Sequence, residues 1–191
     1  IEVGAGVSRR LPGWLSSRAA ARIALVADAN VDRLHPEPLR RLLLEAGHAG
    51  VGDFVLIPAA SSSVGLAAIQ IANWIGAEPI ALTRTSAKAA RLAALGARHV
   101  IASTETDVVA EVQRITGGRG AKVVFDPVGG PYVETLAKAM ADEGTLIIYG
   151  SLSNQPTPYP HWSAALKGLS LRGWVVSQIW NKPHRFEAVK D

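Results

Sequence analysis

Apolar runs of strand length alternate with helical patterns through almost the whole of this sequence, and no other feature restricts the fold as much. The runs Ile1–Ala5, Arg22–Ala27, Phe54–Pro58, Pro79–Thr83, His99–Ala102, Lys122–Phe125, Thr145–Tyr149 and Ser170–Val175 read as strands, with helices between them. Strands written as near-continuous apolar residues are buried on both faces, so helices must cover both sides of the sheet. The expected fold is therefore α/β, a three-layer, doubly wound and mostly parallel sheet.

The helical segments carry their own signals. Val64–Ile75 places Leu66, Ile69, Ile71 and Ile75 among alanines, the pattern of a buried helix that lies close to its sheet. Ser86–Leu95 opens on Ser86, expected as an N-cap, and stops before Gly96, which suits a left-handed C-terminal cap. Thr116–Gly120 and the proline-rich stretch from Gly150 to His161 have no periodicity and read as surface loops. Leu39–Ala46 reads as a helix ended by Gly47, just before the strand at Phe54, so any seam in the chain belongs there.

With 191 residues the chain has room for one sizeable core, or for one domain carrying an appendage. The division expected is a strand-helix-strand-helix appendage over 1–50, packed onto the sheet, and a ligand-binding domain over 51–191. Hydrophobic residues are 48% and charged residues 19%, a composition that folds. The absence of cysteine rules out disulfides and thiolate metal sites, and the five histidines show no i, i+4 pairing, so no metal site is expected. Neither a membrane-length apolar run nor a signal-peptide pattern is visible, which leads to the expectation of a cytoplasmic protein. The net charge of +4 comes from arginines and lysines spread along the chain, not from a tract, and nucleic acid is not expected as a partner.

The chemistry concentrates between Asp53 and Lys88. A strand, a tight turn of small residues and a helix form the unit in which backbone N–H groups meet a pyrophosphate, and glycine usually fills the G-x-G-x-x-G slots. Here those slots hold Ala60, Ser62 and Gly65. Ala and Ser are still small, and the hydroxyls of Ser61, Ser62 and Ser63, followed by Val64, can donate to phosphate oxygens. The same serines also suit a plain polar turn. About twenty residues on, where an NAD site carries an acidic residue, the sequence reads Thr83-Arg84-Thr85-Ser86-Ala87-Lys88. A guanidinium, an ammonium and hydroxyls at one strand end suit a 2′-phosphate, which favours NADP(H), although Arg84 and Lys88 also fit as solvated surface charges.

From Val51 onward the chain resembles the nucleotide-binding domain of the medium-chain dehydrogenase/reductase superfamily, in its zinc-independent quinone oxidoreductase branch. The resemblance rests on Gly52-Asp53-Phe54-Val55-Leu56-Ile57, Ala59-x-x-Ser62-x-x-Gly65, Thr83-Arg84-Thr85, Leu95-Gly96-Ala97, Asp126-Pro127-Val128-Gly129-Gly130 and Tyr149-Gly150-Ser151, in that order. It implies a Rossmann-like fold in which Asp126, Val128 and Gly129 follow the fourth strand and face the cofactor. Tyr149, Gly150 and Ser151 would follow the fifth strand and border the same cleft. Read without the family, Asp126 also fits as a turn former and Gly129-Gly130 as a flexible link.

The resemblance further implies a catalytic barrel ahead of the nucleotide domain, for which the first fifty residues are too few and have the wrong pattern. Residues 1–47 resemble instead the start of 3-dehydroquinate synthase, in which Asp28 and Asn30 would lie near NAD; both also suit a turn and a helix start. An engineered or recombined chimera, joined near Gly47, is the expectation that follows. The function expected is an NADP(H)-binding Rossmann-like domain with no catalytic residues of its own. The alternatives are an NADPH-dependent oxidoreductase acting on a quinone or enone, and a scaffold with no ligand. The same family suggests a homodimer paired through the last edge strand, Leu169–Val176.

Overall fold

The computed structural model describes residues 49–175. Expectations for residues 1–48, including the appendage, the dehydroquinate synthase resemblance and most of the seam, lie outside the described residues, as does everything beyond Val175. Six parallel strands form one sheet: β1 (Phe54–Ile57), β2 (Glu78–Thr83), β3 (His99–Ala102), β4 (Ala121–Asp126), β5 (Met140–Ile148) and β6 (Ser170–Gly173). Their order across the sheet is β3-β2-β1-β4-β5-β6. The connections are α1 (Ser63–Trp74), α2 (Ala89–Ala94), α3 (Val108–Thr116), α4 (Val133–Lys138) and α5 (His161–Lys167). The doubly wound α/β architecture expected from the sequence is the one observed.

Strand alternation divides the core in two. Val55, Ile57, Ala81, Val123, Phe125 and Ile147 point to one face and pack with Ala68, Ile69, Ile71 and Ala72 of α1 and Leu92 of α2. Phe54, Leu56, Ile80, Leu82, Val124 and Leu146 point to the other, against Val108 and Val112 of α3 and Leu136 of α4. All four residues of β1 are buried because the strand sits at the centre of the sheet with a helix layer on each side. Hydrophobic burial on both faces, at roughly 25 cal/mol per Å² of apolar surface, is what holds the three layers together.

Boundaries moved where tertiary contacts outweighed local pattern. β5 starts at Met140, five residues before the expected Thr145, because Met140 still pairs with Ala121 ahead of a register shift. Ser86 is not the expected N-cap. Ser86–Lys88 is a turn of 3-10 helix and α2 starts only at Ala89. The Ser86 hydroxyl is drawn instead to Glu105, at 3.3 Å. Gly96 does take a left-handed conformation, φ 101°, as the helix-ending signal implied.

Candidate functional site

In the sheet order the chain leaves β1 toward β2 and β3 on one side and returns to β4, β5 and β6 on the other. Ligands of open α/β sheets bind beyond the carboxyl ends of the strands at such a reversal, because the two outgoing connections diverge there and leave a crevice. The loops after β1, β2, β4 and β5 therefore define the candidate site, and every site residue expected from the sequence lies in them, at the strand ends that lead into them or in the first turn of the helix that follows.

The β1–α1 turn is built on close contact. Gly65 lies in the first turn of α1, where an added Cβ would sit 2.7 Å from Ala60 Cα, 2.7 Å from Ala60 O and 2.8 Å from Ala59 O. Only glycine lets the helix approach the turn this closely, which is the part the third glycine plays in such motifs. Ala59 takes a left-handed φ of 48° and Ser62 folds back on it, its N–H donating to Ala59 O at 2.9 Å. Ser62 is the N-cap of α1: its backbone is extended and its Oγ accepts from Gly65 N at 3.1 Å. The hydroxyl keeps its own proton, so it can accept from Gly65 and still donate outward. Ser61, Ser63 and Val64 are half-buried around it.

The loop after β2 comes to the same place. Lys88 Nζ reaches across to Ser61 Oγ at 3.3 Å, tying the β2–α2 turn to the β1–α1 turn. Arg84 and Thr85 are exposed, Thr85 makes no side-chain capping bond, and the Arg84 guanidinium forms no ion pair with a described residue. Thr83, half-buried, ends the strand and its carbonyl accepts from Ser103 N at 2.8 Å. Thr104 donates twice to Arg84 O, from its N–H at 3.0 Å and its hydroxyl at 2.6 Å. This brings a residue that motif reading missed, Glu105, whose Oε1 accepts from Ser86 N at 2.9 Å. The sequence holds no carboxylate at the end of β2; the fold supplies one from the end of the neighbouring strand. The signal available was the strand order itself, since β3 beside β2 aligns the loops at their carboxyl ends.

On the other side of the reversal, Asp126 is fully buried and its carboxylate accepts from Val128 N at 2.8 Å and Gly129 N at 2.9 Å. Burial raises its pKa above the usual carboxylate range, an effect that those two hydrogen bonds oppose. The side chain thus closes the turn that carries Val128 and Gly129. Gly130 has φ 71°, and a Cβ there would meet Ser153 Oγ at 2.5 Å. The expected surface loop after β5 is stitched onto this turn: Leu152 N donates to Pro127 O, Ser153 N to Val128 O, and Gly130 N to Thr157 Oγ1. Gly150 has no room for a Cβ, which would fall 2.6 Å from Pro127 O. Tyr149 stacks on Phe125 with ring centroids 4.0 Å apart, and burial raises its phenol pKa, with Asp126 adding to the rise. Ser151 is exposed at the rim. The site residues thus form two groups, a polar and cationic cluster beyond β1 and β2 and a rigid glycine-rich wall beyond β4 and β5.

A doubly wound parallel sheet whose first turn is packed on a single indispensable glycine, with cations beyond the next strand, is a Rossmann-type nucleotide-binding unit. The chain belongs to the zinc-binding dehydrogenase family, whose profile matches residues 63–191. The mitochondrial enoyl-(acyl-carrier-protein) reductase of Homo sapiens is 30% identical over 162 residues, covering 83% of this chain and 43% of that protein. The Xenopus tropicalis protein of the same name is 27% identical over 206 residues, covering 95% of this chain and 59% of its own length, so that match runs through the position of the expected seam. Among solved structures, Escherichia coli quinone oxidoreductase complexed with NADPH superimposes with a TM-score of 0.72 at 26% identity, covering 82% of this chain and 48% of that one. The chain spans only about half the length of these relatives. They lie within the superfamily that the motifs from Val51 onward resemble.

Proposed function

We propose that residues 51–191 bind NADP(H), with the pyrophosphate at the Ser61–Gly65 turn and the 2′-phosphate between Arg84, Thr85 and Lys88. The observation that carries this reading is the cation arrangement beyond β2. Lys88 spans to Ser61 of the pyrophosphate turn, and Arg84 beside it has no ion pair among the described residues. Arginine holds phosphate oxygens through two parallel N–H bonds, and lysine adds a compact charge. Asp126 and Gly129 shape the wall against which the nicotinamide half would lie, with Tyr149, Gly150 and Ser151 beyond it. The Escherichia coli relative whose structure contains NADPH supports the same cofactor.

The test is parallel titration with NADPH and NADH by calorimetry and thermal shift. NADPH is expected to raise the melting temperature by mass action and NADH to do so less, with Arg84→Ala removing the difference. A melting temperature indifferent to both cofactors would leave the fold without this function.

Names of the relatives favour a second statement about the whole protein, NADPH-dependent reduction of a quinone or an enone. Substrate-dependent oxidation of NADPH above a heat-denatured control tests it. Two copies are further proposed to pair through β6, which is last in the sheet order and carries exposed Trp162 and Leu166 on the preceding helix. Sedimentation velocity distinguishes the dimer from the monomer.

A further inference from the structure

We infer that Glu105 sets the selectivity of this site, acting as an acidic counterweight to Arg84 and Lys88 that restrains preference for a 2′-phosphate over a free ribose hydroxyl. The inference rests on the NADP(H) reading and adds to it a residue from a different strand.

Glu105 is placed by the sheet. Backbone bonds from Ser103 to Thr83 O and from Thr104 to Arg84 O, with the Thr104 hydroxyl added at 2.6 Å, hold the loop after β3 against the loop after β2. Within that clamp Glu105 Oε1 takes both donors of Ser86, the N–H at 2.9 Å and the hydroxyl at 3.3 Å. A phosphate held by Arg84 and Lys88 would compete for those donors, so the carboxylate already occupies part of its ligand set.

The charges do not cancel beforehand. Glu105 forms no ion pair with Arg84, and the ion pairs among the described residues join Glu78 to Arg98 and Glu111 to Arg114, with His99 Nε2 also 3.7 Å from Glu78. Asp107, the other nearby acid, is turned to its own helix, where its Oδ1 accepts from Val109 N and Ala110 N. Arg84 and Lys88, neither of them ion-paired among the described residues, and Glu105, whose carboxylate is bonded to Ser86 and to no cation there, therefore frame one strand end. A carboxylate near the adenosine ribose is the group that NAD sites use to accept the 2′-hydroxyl, and it repels a phosphate in the same place. Two like charges several ångströms apart at a wet surface repel weakly, so the effect on affinity is about three- to tenfold at low ionic strength and falls as salt is added.

The experiment measures dissociation constants of NADPH and NADH for the 191-residue chain, for Glu105→Gln and for Glu105→Ala, at low and high salt. Glu105→Gln keeps an oxygen that can accept from Ser86 N and removes the charge, so the turn stays in place. It is expected to widen the NADPH-to-NADH preference about three- to tenfold, by tighter NADPH binding and more at low salt. Glu105→Ala, which also frees both Ser86 donors, is expected to widen it at least as far. An unchanged ratio in both variants, with the wild type still preferring NADPH, overturns the inference and leaves the cofactor reading standing. A narrowed ratio assigns Glu105 to propping the Lys88 turn and overturns it as well. Wild-type protein that binds neither cofactor removes the cofactor reading and this inference with it.

Discussion

Gly65→Ala sets two well-measured effects against each other. By helix propensity alone, alanine inside a helix is better than glycine by about 1 kcal/mol. Packing opposes this, because the new Cβ would lie 2.7 Å from Ala60 Cα, where two carbon atoms rest at about 3.5–4.0 Å, and 2.7 and 2.8 Å from the carbonyl oxygens of Ala60 and Ala59. None of those atoms ends a flexible side chain, so the clash has to be relieved by moving backbone by most of an ångström. The turn resists, since Ala60 N donates to Leu82 O at 3.1 Å and Ser62 N to Ala59 O at 2.9 Å. Overpacking of this kind costs about 1–3 kcal/mol. Against the propensity gain, a net loss of about 1 kcal/mol is expected in urea unfolding followed by circular dichroism. NADPH affinity should fall at least about tenfold, because the moved atoms are those of the turn proposed to hold the pyrophosphate. A Gly65→Ala protein that gains about 1 kcal/mol and binds NADPH as before would refute the claim that α1 needs a glycine to dock on this turn.

Two other substitutions address the backbone and the buried acid. Ala59 sits at φ 48°, where a side chain costs about 1–2 kcal/mol and glycine costs nothing sterically. After glycine's entropic cost, Ala59→Gly should stabilise by about 0.5 kcal/mol in the same urea assay, and a loss of stability would show that the turn is not strained there. Asp126 has a raised pKa in the fold, so the stability it contributes is fully present below the ordinary value of 3.8 and is lost as pH rises through the raised one. Asp126→Asn does not titrate and gives up one of the two backbone acceptors, a cost of about 1–3 kcal/mol. Its deficit relative to wild type should therefore shrink as pH rises from 3.5 toward 7. A deficit that grows with pH would mean that the carboxylate is the favoured buried form.

The three layers were legible because the central strands had to be written in apolar residues. Phe54 and Leu56 face one helix layer while Val55 and Ile57 face the other, so no polar residue interrupts the run and the burial of both faces follows from composition. What could not be read was anything decided between distant segments. Ser86 stands where a helix N-cap should be, yet a carboxylate nineteen positions away claims its hydroxyl and its N–H. The loop after β5 is the surface loop that its prolines and polar residues imply, but the bonds from Leu152 and Ser153 to the loop after β4 are written in no local pattern. At Ser86 the local signal was real and a contact set by strand order outweighed it; at the loop the contact was added to it.

The serine-substituted turn makes the same point at the level of function. A glycine turn leaves the first N–H groups of its helix for the ligand, whereas here Ser62 has taken the Gly65 N–H at 3.1 Å. That N–H is no longer free, but the oxygen that accepts it still carries a proton that can be offered outward. The donor on offer is thus a side-chain hydroxyl in place of that backbone N–H, and the neighbouring Ser61 is linked to Lys88 at 3.3 Å. Close approach, for which the motif's glycines are usually needed, is retained only at Gly65, where the fold itself demands it. On the proposed reading, phosphate recognition would shift from backbone geometry to hydroxyl and ammonium groups, which tolerate a less exact turn and give more of the affinity to charge. A site built that way would respond to added negative charge by the modest, salt-screened amount expected at a wet surface, and Glu105 at the next strand end is where the fold has placed one.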